Sequence, residues 1–457
     1  MAARKISVLF LFALGFLIAG SAFVLQIPYA ALLFVGILAL VVFYENSFMS
    51  LLATVFSYVF LPDLLVLMMC YGIFGLYLFR KITRRTGSFQ IYSHEMIPLV
   101  YYVLMVVATF TSTLVMGSVR DLAIHTAGLT TMIMITDLVT TKERLYRVLG
   151  LLVVAVTLLS LYGIYQYVVG VDILREWVDT ASNEAIRARA YSIFGNPNIF
   201  AEYLVIFTPL TVFLMWSSKR DKVKIFYALL FVVQVAALFM TMSRGGWIGL
   251  ASAALMFIFL VRKRLLLFLL PVGAGATLLL PQTFISRFLT IFNLKDSSTS
   301  YRFQIWDITM DVIADHFLVG VGLGHQPFKY TFETYIRTMP IFHAHNSFIE
   351  IFAELGLSGF ILFAIFMASI FALLYKYPLK SQWENRRLLG AALTASFFGM
   401  LVHGMFENIF YMTKITLSFW ILLSLLYVLV RWEKAEEGVE LRREVAHGSR
   451  IRKEYSL

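Results

Sequence analysis

Cysteine and charge are both scarce in this chain of 457 residues, and each shortage excludes a class of protein. Cys70 is the only cysteine, so the chain can form neither an internal disulfide nor a thiolate metal cluster. Only 14% of the residues are charged and 60% are hydrophobic, with a mean hydropathy of +0.81. This balance excludes an ordinary soluble globular domain.

Long apolar runs take up most of the sequence. Runs of about 20 apolar residues recur, which is the length that a helix needs to cross a bilayer. Because only helices and closed barrels satisfy their backbone groups in lipid, these runs predict an all-α, polytopic membrane protein of about 12–14 transmembrane helices. Arg4 and Lys5 precede the first run, for which we find no convincing cleavage site, so we interpret it as an uncleaved first span.

The net charge of +11 comes largely from basic residues in short loops between the predicted spans. Such loops stay cytoplasmic, and they form no single patch that would bind nucleic acid. With all of them on one side, both termini are cytoplasmic, and the long loops Val171–Asn198 and Pro281–His345 face outward. We therefore expect a multi-pass protein of the plasma (inner) membrane that contacts membrane lipids.

The second outward loop should contain helical structure. Thr299 or Ser300 can cap a helix that runs to about His316. The residues predicted to form its apolar face are Phe303, Trp306, Met310, Ile313 and Phe317. Gly320, Gly322 and Gly324 then end the helix, without the strand and helix that would accompany a nucleotide-binding loop.

Polar residues gather where the chain enters its next long apolar run, at His343–Gly359. Polar groups at that depth are either internally satisfied or functional. His345 directly precedes this span and is our candidate base, with Asn346 available to orient its ring. His343 lies farther out, in a loop that we expect to be more solvated. No carboxylate or cysteine at ligand spacing accompanies the two histidines, so we predict no metal.

Three arginine-containing segments also lie on the predicted outward side. Arg187 and Arg189 precede the turn FGNPN, where Asn198 can cap the following helix; Arg244 lies in SRGGW between two spans; and Arg302 begins the helix of the large loop. A guanidinium fork suits a diphosphate. The alternatives are solvated or snorkelling arginines. His403 and Glu407, four residues apart, either complete this polar pocket or pair with each other.

These segments together resemble the O-antigen ligase and polymerase family, the bacterial membrane enzymes that transfer glycans from polyprenyl diphosphate carriers. The matching residues are RAYSIFGNPN (189–198), MSRGGW (242–247), YRFQIW to DHFLVGVGLG (301–324) and HAHNSFIEIFAELGLSG (343–359). The resemblance implies N-terminal transmembrane helices at 1–140, a catalytic membrane domain at 141–430 that includes the outward loop 281–345, and a cytoplasmic tail at 431–457.

The resemblance also implies a metal-independent glycosyltransferase without a cofactor, whose active site faces the periplasm or cell exterior. Arg189, Arg244 and His345 would be its catalytic residues. Its substrate-binding residues would be Arg187, Asn196, Asn198, Arg302, His343 and Asn346. The donor would be a polyprenyl-diphosphate-linked glycan and the acceptor a hydroxyl of a glycan or lipid. A polymerase of the same family is one alternative, and a transporter or flippase of lipid-linked glycans is another.

Charge placement separates the enzyme from the transporter. A transporter should place charges in mid-span, along a path between the two sides of the membrane. In this sequence the candidate charges lie at the outward ends of spans. The pattern therefore favours an enzyme of cell-surface polysaccharide or lipopolysaccharide biosynthesis.

Overall fold

The computed structural model describes residues 40–84, 92–170, 188–268, 281–292, 297–339 and 341–454, together with the isolated residues 36 and 275. Within these ranges the chain is helical with connecting turns, and no β-strand occurs. The helices in chain order are α1 Ser47–Ser57, α2 Asp63–Thr83, α3 Met96–Phe110, α4 Val115–Leu138, α5 Lys142–Val169, α6 Pro197–Ser217, α7 Asp221–Met240, α8 Arg244–Arg262, α9 Gln282–Leu289, α10 Ser297–Asp315, α11 His325–Tyr335, α12 Ser347–Lys376, α13 Glu384–Gly404 and α14 Thr413–Glu454.

Eight helices in the described ranges are long and apolar enough to cross a membrane. The all-α, polytopic membrane fold is therefore confirmed. Each run predicted as a span between residues 97 and 261 and between 346 and 430 forms a helix. The predicted spans before residue 40 and most of the one at 265–281 lie outside the described residues, and the run near 47–62 forms only the 11-residue α1. The total of 12–14 spans stays a prediction.

Two helices form the centre of the bundle. The apolar window of α14 is 100% buried within the protein and that of α6 is 83% buried, whereas that of α7 is only 17% buried. A helix that is apolar all round belongs inside a bundle, and one that exposes apolar side chains faces lipid. Helix α14 also continues past Arg431, whose Nε donates to Glu95 Oε1 at 2.7 Å. The predicted tail thus begins as an extension of a core helix.

The glycine run 320–324 serves helix packing. Helix α12 is kinked at Gly356, whose φ of 64° leaves backbone groups without helical partners. The N–H groups of Val321 and Gly322 donate to the carbonyls of Ala353 and Glu354, each at 2.9 Å. A Cβ on Gly320 would collide with the Glu354 carbonyl. Glycine is required at Gly320 because the segment 320–324 lies directly against the kinked backbone of α12.

Helix α10 is present, but its buried face differs from the prediction. Phe303, Met310 and Phe317 are exposed. The buried residues of the helix are Ile305, Thr309, Val312 and Ile313, which follow the spacing of one helical face. Of the predicted face, Ile313 is buried and Trp306 packs against the same cluster, but Phe303, Met310 and Phe317 were assigned wrongly. Two apolar stripes lie side by side on α10, and periodicity cannot tell which of them packs against α11 and α12.

The predicted site residues lie at one end of the helices that carry them. Helices α6, α8 and α12 begin beside these residues, and α13 ends there. The basic residues lie at the opposite ends, for example Lys219 after α6 and Lys376 at the end of α12. The site and the basic loops therefore occupy opposite faces of the helical bundle.

Candidate active site

Glu407 is the centre of the polar cluster. It follows α13 and is 1% exposed. Its Oε1 lies 3.0 Å from His345 Nδ1 and 3.1 Å from His343 Nε2, and its Oε2 accepts from Asn198 Nδ2 at 2.8 Å. The Ser347 hydroxyl fixes the Glu407 backbone by donating to its carbonyl at 2.9 Å. One carboxylate therefore joins the first turn of α6 to the segment before α12.

The hydrogen bonds assign the tautomers of both imidazoles. The backbone N–H of His345 donates to His343 Nδ1 at 3.1 Å, so His343 carries its proton on Nε2 and donates it to Glu407. His345 donates from Nδ1 to the same carboxylate, which leaves its Nε2 as an acceptor. At 28% exposure His345 is the accessible ring, and Nε2 can take a proton from a substrate hydroxyl.

His343 is not the solvated residue that its loop position suggested. It is 3% exposed, and its ring lies 4.6 Å from that of Tyr411, centroid to centroid. Burial lowers the pKa of His343 to about 3, assisted by the neighbouring His345, so it stays neutral and acts as a donor to Glu407. The prediction failed because the segment packs against Tyr411 and is held to α10, where Trp306 Nε1 donates to Ala344 O at 2.8 Å.

Glu407 remains ionised despite its burial. Burial by itself would raise the pKa of its carboxyl group, but its interactions with His345, His343 and the Arg302 cation hold that pKa well below its ordinary value. A buried carboxylate with this set of donors can stabilise an imidazolium on His345. The arrangement is that of a histidine base with an orienting carboxylate.

A metal ion is the alternative occupant of this cluster. His343, His345 and Glu407 offer ligand atoms within 4.8 Å of one another. Glu407, which follows α13, is thus a carboxylate near the two histidines that their spacing in the sequence did not reveal. A ligating His343 Nε2 would first have to lose its proton. That change would move the proton to Nδ1, where the His345 N–H already donates. The hydrogen-bond pattern thus fits a His343 that carries its proton on Nε2 and donates it to Glu407, rather than a His343 that ligates a metal ion.

Arg189 is held in the interior beside this cluster. It is 7% exposed, and its Nε donates to Thr241 O at 2.9 Å and its Nη2 to Asn198 Oδ1 at 3.2 Å. Burial, together with the charges of Arg287 and Arg244, lowers the pKa of its guanidinium to about 9. A buried cation beside like charges is a site where a polyanion is stabilising.

Two more arginines gather at the turn between α7 and α8. Arg244 donates from Nη1 to Thr290 O at 3.1 Å. Arg287, at the end of α9, donates from Nε to Met242 O at 3.2 Å. Arg302, in α10, is close enough to influence the titration of both Arg189 and Glu407. With the N-termini of α6 and α8 nearby, the arrangement can hold phosphate oxygens.

The glycines after Arg244 allow helices to pack closely. A Cβ on Gly245 would lie 2.8 Å from His403 Cδ2, and one on Gly246 would lie 2.5 Å from the Ala201 Cβ. The buried His403 ring lies with Nδ1 against the carboxyl group of Glu202 in α6. It does not pair with Glu407, because α13 ends at Gly404 and the chain turns before residue 407. These contacts place Arg244 against α6 and α13.

Backbone strain is concentrated at this site. In the described ranges, three non-glycine residues have positive φ: Ser192 at 50°, Met242 at 54° and His345 at 51°. They lie in three of the four motif segments, 189–198, 242–247 and 343–359. Left-handed backbone at non-glycine residues is costly and persists where the surroundings enforce it, often at functional sites. At Ser192 the enforcing group is Gln166, whose Oε1 accepts from the Ser192 N–H at 2.6 Å.

The remaining predicted residues divide into caps and contacts. Asn196, rather than Asn198, is the N-cap of α6, since its Oδ1 accepts from the Asn198 N–H at 2.8 Å. Asn346 caps α12 through bonds from Phe348 and Ile349, and the ring of His345 is oriented by Glu407 instead. Arg187 lies outside the described residues.

Sequence reasoning missed Arg287 and gave Glu407 an uncertain role. Arg287 lies in the outward loop, and no motif distinguishes it from other loop arginines. Glu407 has the i, i+4 spacing from His403 that suggests a helical pair, so its true partners, about 60 positions earlier, were hidden. The one available signal was a carboxylate at the predicted outward end of a span, where charge is expensive.

Two comparisons with known proteins agree with this geometry. Residues 229–364 match the model of the O-antigen ligase family, and this range runs from within α7 to about the middle of α12. The chain is 22% identical over 374 residues to the teichuronic acid biosynthesis protein TuaE of Bacillus subtilis, covering 79% of this chain and 76% of the relative. The resemblance to the O-antigen ligase and polymerase family is confirmed.

Proposed function

We propose that this chain, with its O-antigen ligase region, transfers a glycan from a polyprenyl diphosphate to an acceptor hydroxyl at the outer face of the plasma membrane. The observation that carries the proposal is the position of the His345–Glu407 pair beside buried Arg189. Asn198 bridges the two parts, since it accepts from Arg189 and donates to Glu407. A base and a cationic site in contact are what glycan transfer from a diphosphate carrier requires.

The arginines bind the donor diphosphate in this proposal. When the bond between the anomeric carbon and the diphosphate breaks, negative charge develops on the leaving oxygens. Arg189 and Arg244 offer fixed guanidinium groups to those oxygens, with Arg287 and Arg302 adding positive potential. Charge stabilisation by groups that are already in place is the largest contribution that such a site makes to the rate.

His345 activates the acceptor. Its Nε2 accepts the proton of the acceptor hydroxyl as the oxygen attacks the anomeric carbon. Nδ1 keeps its own proton and continues to donate it to Glu407 Oε1 in a hydrogen bond. The carboxylate stabilises the resulting imidazolium. General base catalysis of this type contributes roughly 10²–10⁴-fold in rate.

The proposed reaction uses no metal and no cofactor. The assignment of the site to the outer face of the membrane rests on the basic loops, because they lie at the opposite ends of the helices from the site. A polymerase remains the alternative within the family, in which the acceptor hydroxyl belongs to a second lipid-linked glycan. The chemistry at His345 and the arginines is the same in both cases.

Reconstitution tests the proposal directly. The protein in liposomes is given a defined undecaprenyl-diphosphate glycan, with and without a lipid acceptor, and products are separated by mass. Transfer that depends on the lipid acceptor supports a ligase. Elongation of the lipid-linked glycan without the lipid acceptor indicates a polymerase. Movement of the donor across the bilayer without any new glycosidic bond would reject the enzyme and favour a flippase. Transfer abolished by chelators and restored by zinc would reject metal independence.

A further inference from the structure

A second polar pocket lies apart from the histidine and arginine cluster. It is a surface pocket of about 300 Å³ between the α3–α4 turn, the end of α10 and the second half of α11. Its lining residues are Thr113, His316, Tyr330, Thr331, Thr334 and Tyr335. The lining is made of three threonines, two tyrosines and a histidine, without an aliphatic or charged side chain. The lining thus combines the carbon faces of rings and methyl groups with hydroxyl groups, and it offers no charged group to an ion.

The hydroxyl groups are held in place by the fold. Thr113 Oγ1 donates to Val321 O at 3.0 Å and lies 3.1 Å from Thr331 Oγ1. The Tyr335 hydroxyl donates to Asp315 Oδ2 at 2.6 Å. His316 Nδ1 lies 3.1 Å from Val312 O, so the proton is on Nδ1 and Nε2 is an acceptor. Several fixed donors and acceptors therefore surround a space that opens to solvent.

Tyr330 supplies an aromatic face at the mouth of the pocket. Its side chain is 55% exposed, although it lies on a helix whose other face is packed into a core by Phe328 and Phe332. The ring of a tyrosine presents a large rigid apolar surface with a polar tip. Sugar rings have one face of C–H groups and a rim of hydroxyls, so a ring at the mouth and hydroxyls within match that chemistry.

Helix α11 connects this pocket to the proposed reaction centre. At its first residue, the ring of His325 lies 5.7 Å from that of Tyr411, which in turn packs against His343. At a rise of about 1.5 Å per residue, Tyr330 and Tyr335 lie roughly 7.5 and 15 Å farther along the axis from His325. A glycan longer than one sugar can therefore extend from the centre toward the pocket.

We propose that this pocket, bounded by Tyr330 and Thr334, is a subsite that binds a sugar ring of the glycan substrate distant from the reacting bond. The inference rests on the proposed function. It adds a site that would select the glycan substrate by its length and by the type of its sugars. The same chemistry would accept a sugar of the donor glycan or of the acceptor. Kinetics with each of the two varied separately distinguishes these sources.

The experiment uses the full-length protein and glycans of graded length. Y330A removes the aromatic face, Y330F keeps it, and Y165A removes an exposed tyrosine from α5 as a matched control. For Y330A we expect KM to rise about tenfold for the longer members of one series, donor or acceptor, at unchanged kcat. Y330F and Y165A should retain the parent KM. The shortest glycans, which do not reach the pocket, should be insensitive to all three.

The proposal is overturned if Y330A leaves KM unchanged at every length in both series. A fall in kcat of equal size at every length would also overturn it, because that indicates a structural role. If the parent shows no transfer at all, the proposed function fails, and the pocket is then tested by binding. Saturation-transfer NMR with free oligosaccharide should show contact with the purified parent and loss of contact with Y330A; equal signals for both would reject the subsite.

Discussion

Asn198 and Glu407 are joined by a 2.8 Å hydrogen bond from Nδ2 to Oε2. The other end of the same amide accepts from Arg189, so one side chain connects the guanidinium to the carboxylate that orients His345. The asparagine thus bridges the positive and negative groups of the site. In the proposed function, the donor diphosphate binds at this guanidinium, beside the oriented base.

Replacement of Glu407 by glutamine should impair catalysis more than donor binding. Glutamine keeps the size of the side chain but removes the charge that stabilises an imidazolium on His345. We expect kcat to fall by about 10²-fold or more with a small change in donor KM. The matched control is E333Q, an exposed carboxylate on α11. Parent kcat in E407Q would remove the carboxylate from the mechanism.

Replacement of His345 and of His343 by alanine should affect the stability of the protein differently. H345A removes the exposed ring, so transfer should fall by about 10²-fold or more while the melting temperature changes little. H343A removes a buried ring and leaves the His345 N–H without its acceptor, which should destabilise the protein by roughly 1–3 kcal/mol and reduce transfer as well. Thermal melts and initial rates measure both. Transfer by folded H345A within twofold of the parent would exclude the base.

Replacement of Arg244 by lysine should lower transfer. Lysine keeps the charge but loses the planar fork and the hydrogen bond to Thr290 O. We expect about a tenfold or larger fall in kcat/KM for the donor, and a similar fall for R189K, because the Arg189 fork bridges Thr241 and Asn198. R264K, in the exposed segment that follows α8, is the control. Equal rates in the parent, R244K and R244A would show that Arg244 is only an anchor.

The stability of the protein should carry a pH signature from His343. Burial lowers the pKa of its ring from 6.5 to about 3. Between those values the unfolded chain binds a proton that the folded protein does not, so this contribution is complete above about pH 6.5 and is lost as pH falls toward 3. The melting-temperature difference between the parent and H343Q should therefore shrink from about pH 7 to pH 5. A constant difference over that range would contradict a neutral, buried His343.

Cysteine labelling tests the orientation in the membrane. In a C70A background, T334C lies on exposed α11 and Q382C lies in the exposed basic loop between α12 and α13. We expect an impermeant thiol reagent to label T334C in intact cells and to reach Q382C only after permeabilisation. The reverse pattern would place the site on the cytoplasmic side.

Local features of the sequence were sufficient for the helices. The length of each apolar run predicts a span, because a helix in lipid needs about 20 apolar residues and satisfies its own backbone groups. The positions of Arg189, Arg244 and His345 at helix starts followed from the same boundaries. Even the break at residues 320–324 was visible, since three alternating glycines cannot sustain a helix.

Only the tertiary structure decided which groups meet. The phase of α10 depends on the neighbours that cover it, so two adjacent apolar stripes could not be ranked from spacing. His403 and Glu407 are separated by the end of α13, and each finds its partner on another helix or loop: Glu202 for the first, the two histidines for the second. Sequence determined the elements because the forces that form them act over a few residues. The site required the packed bundle, because hydrogen bonds and charges act between side chains that are adjacent in space and far apart in the chain.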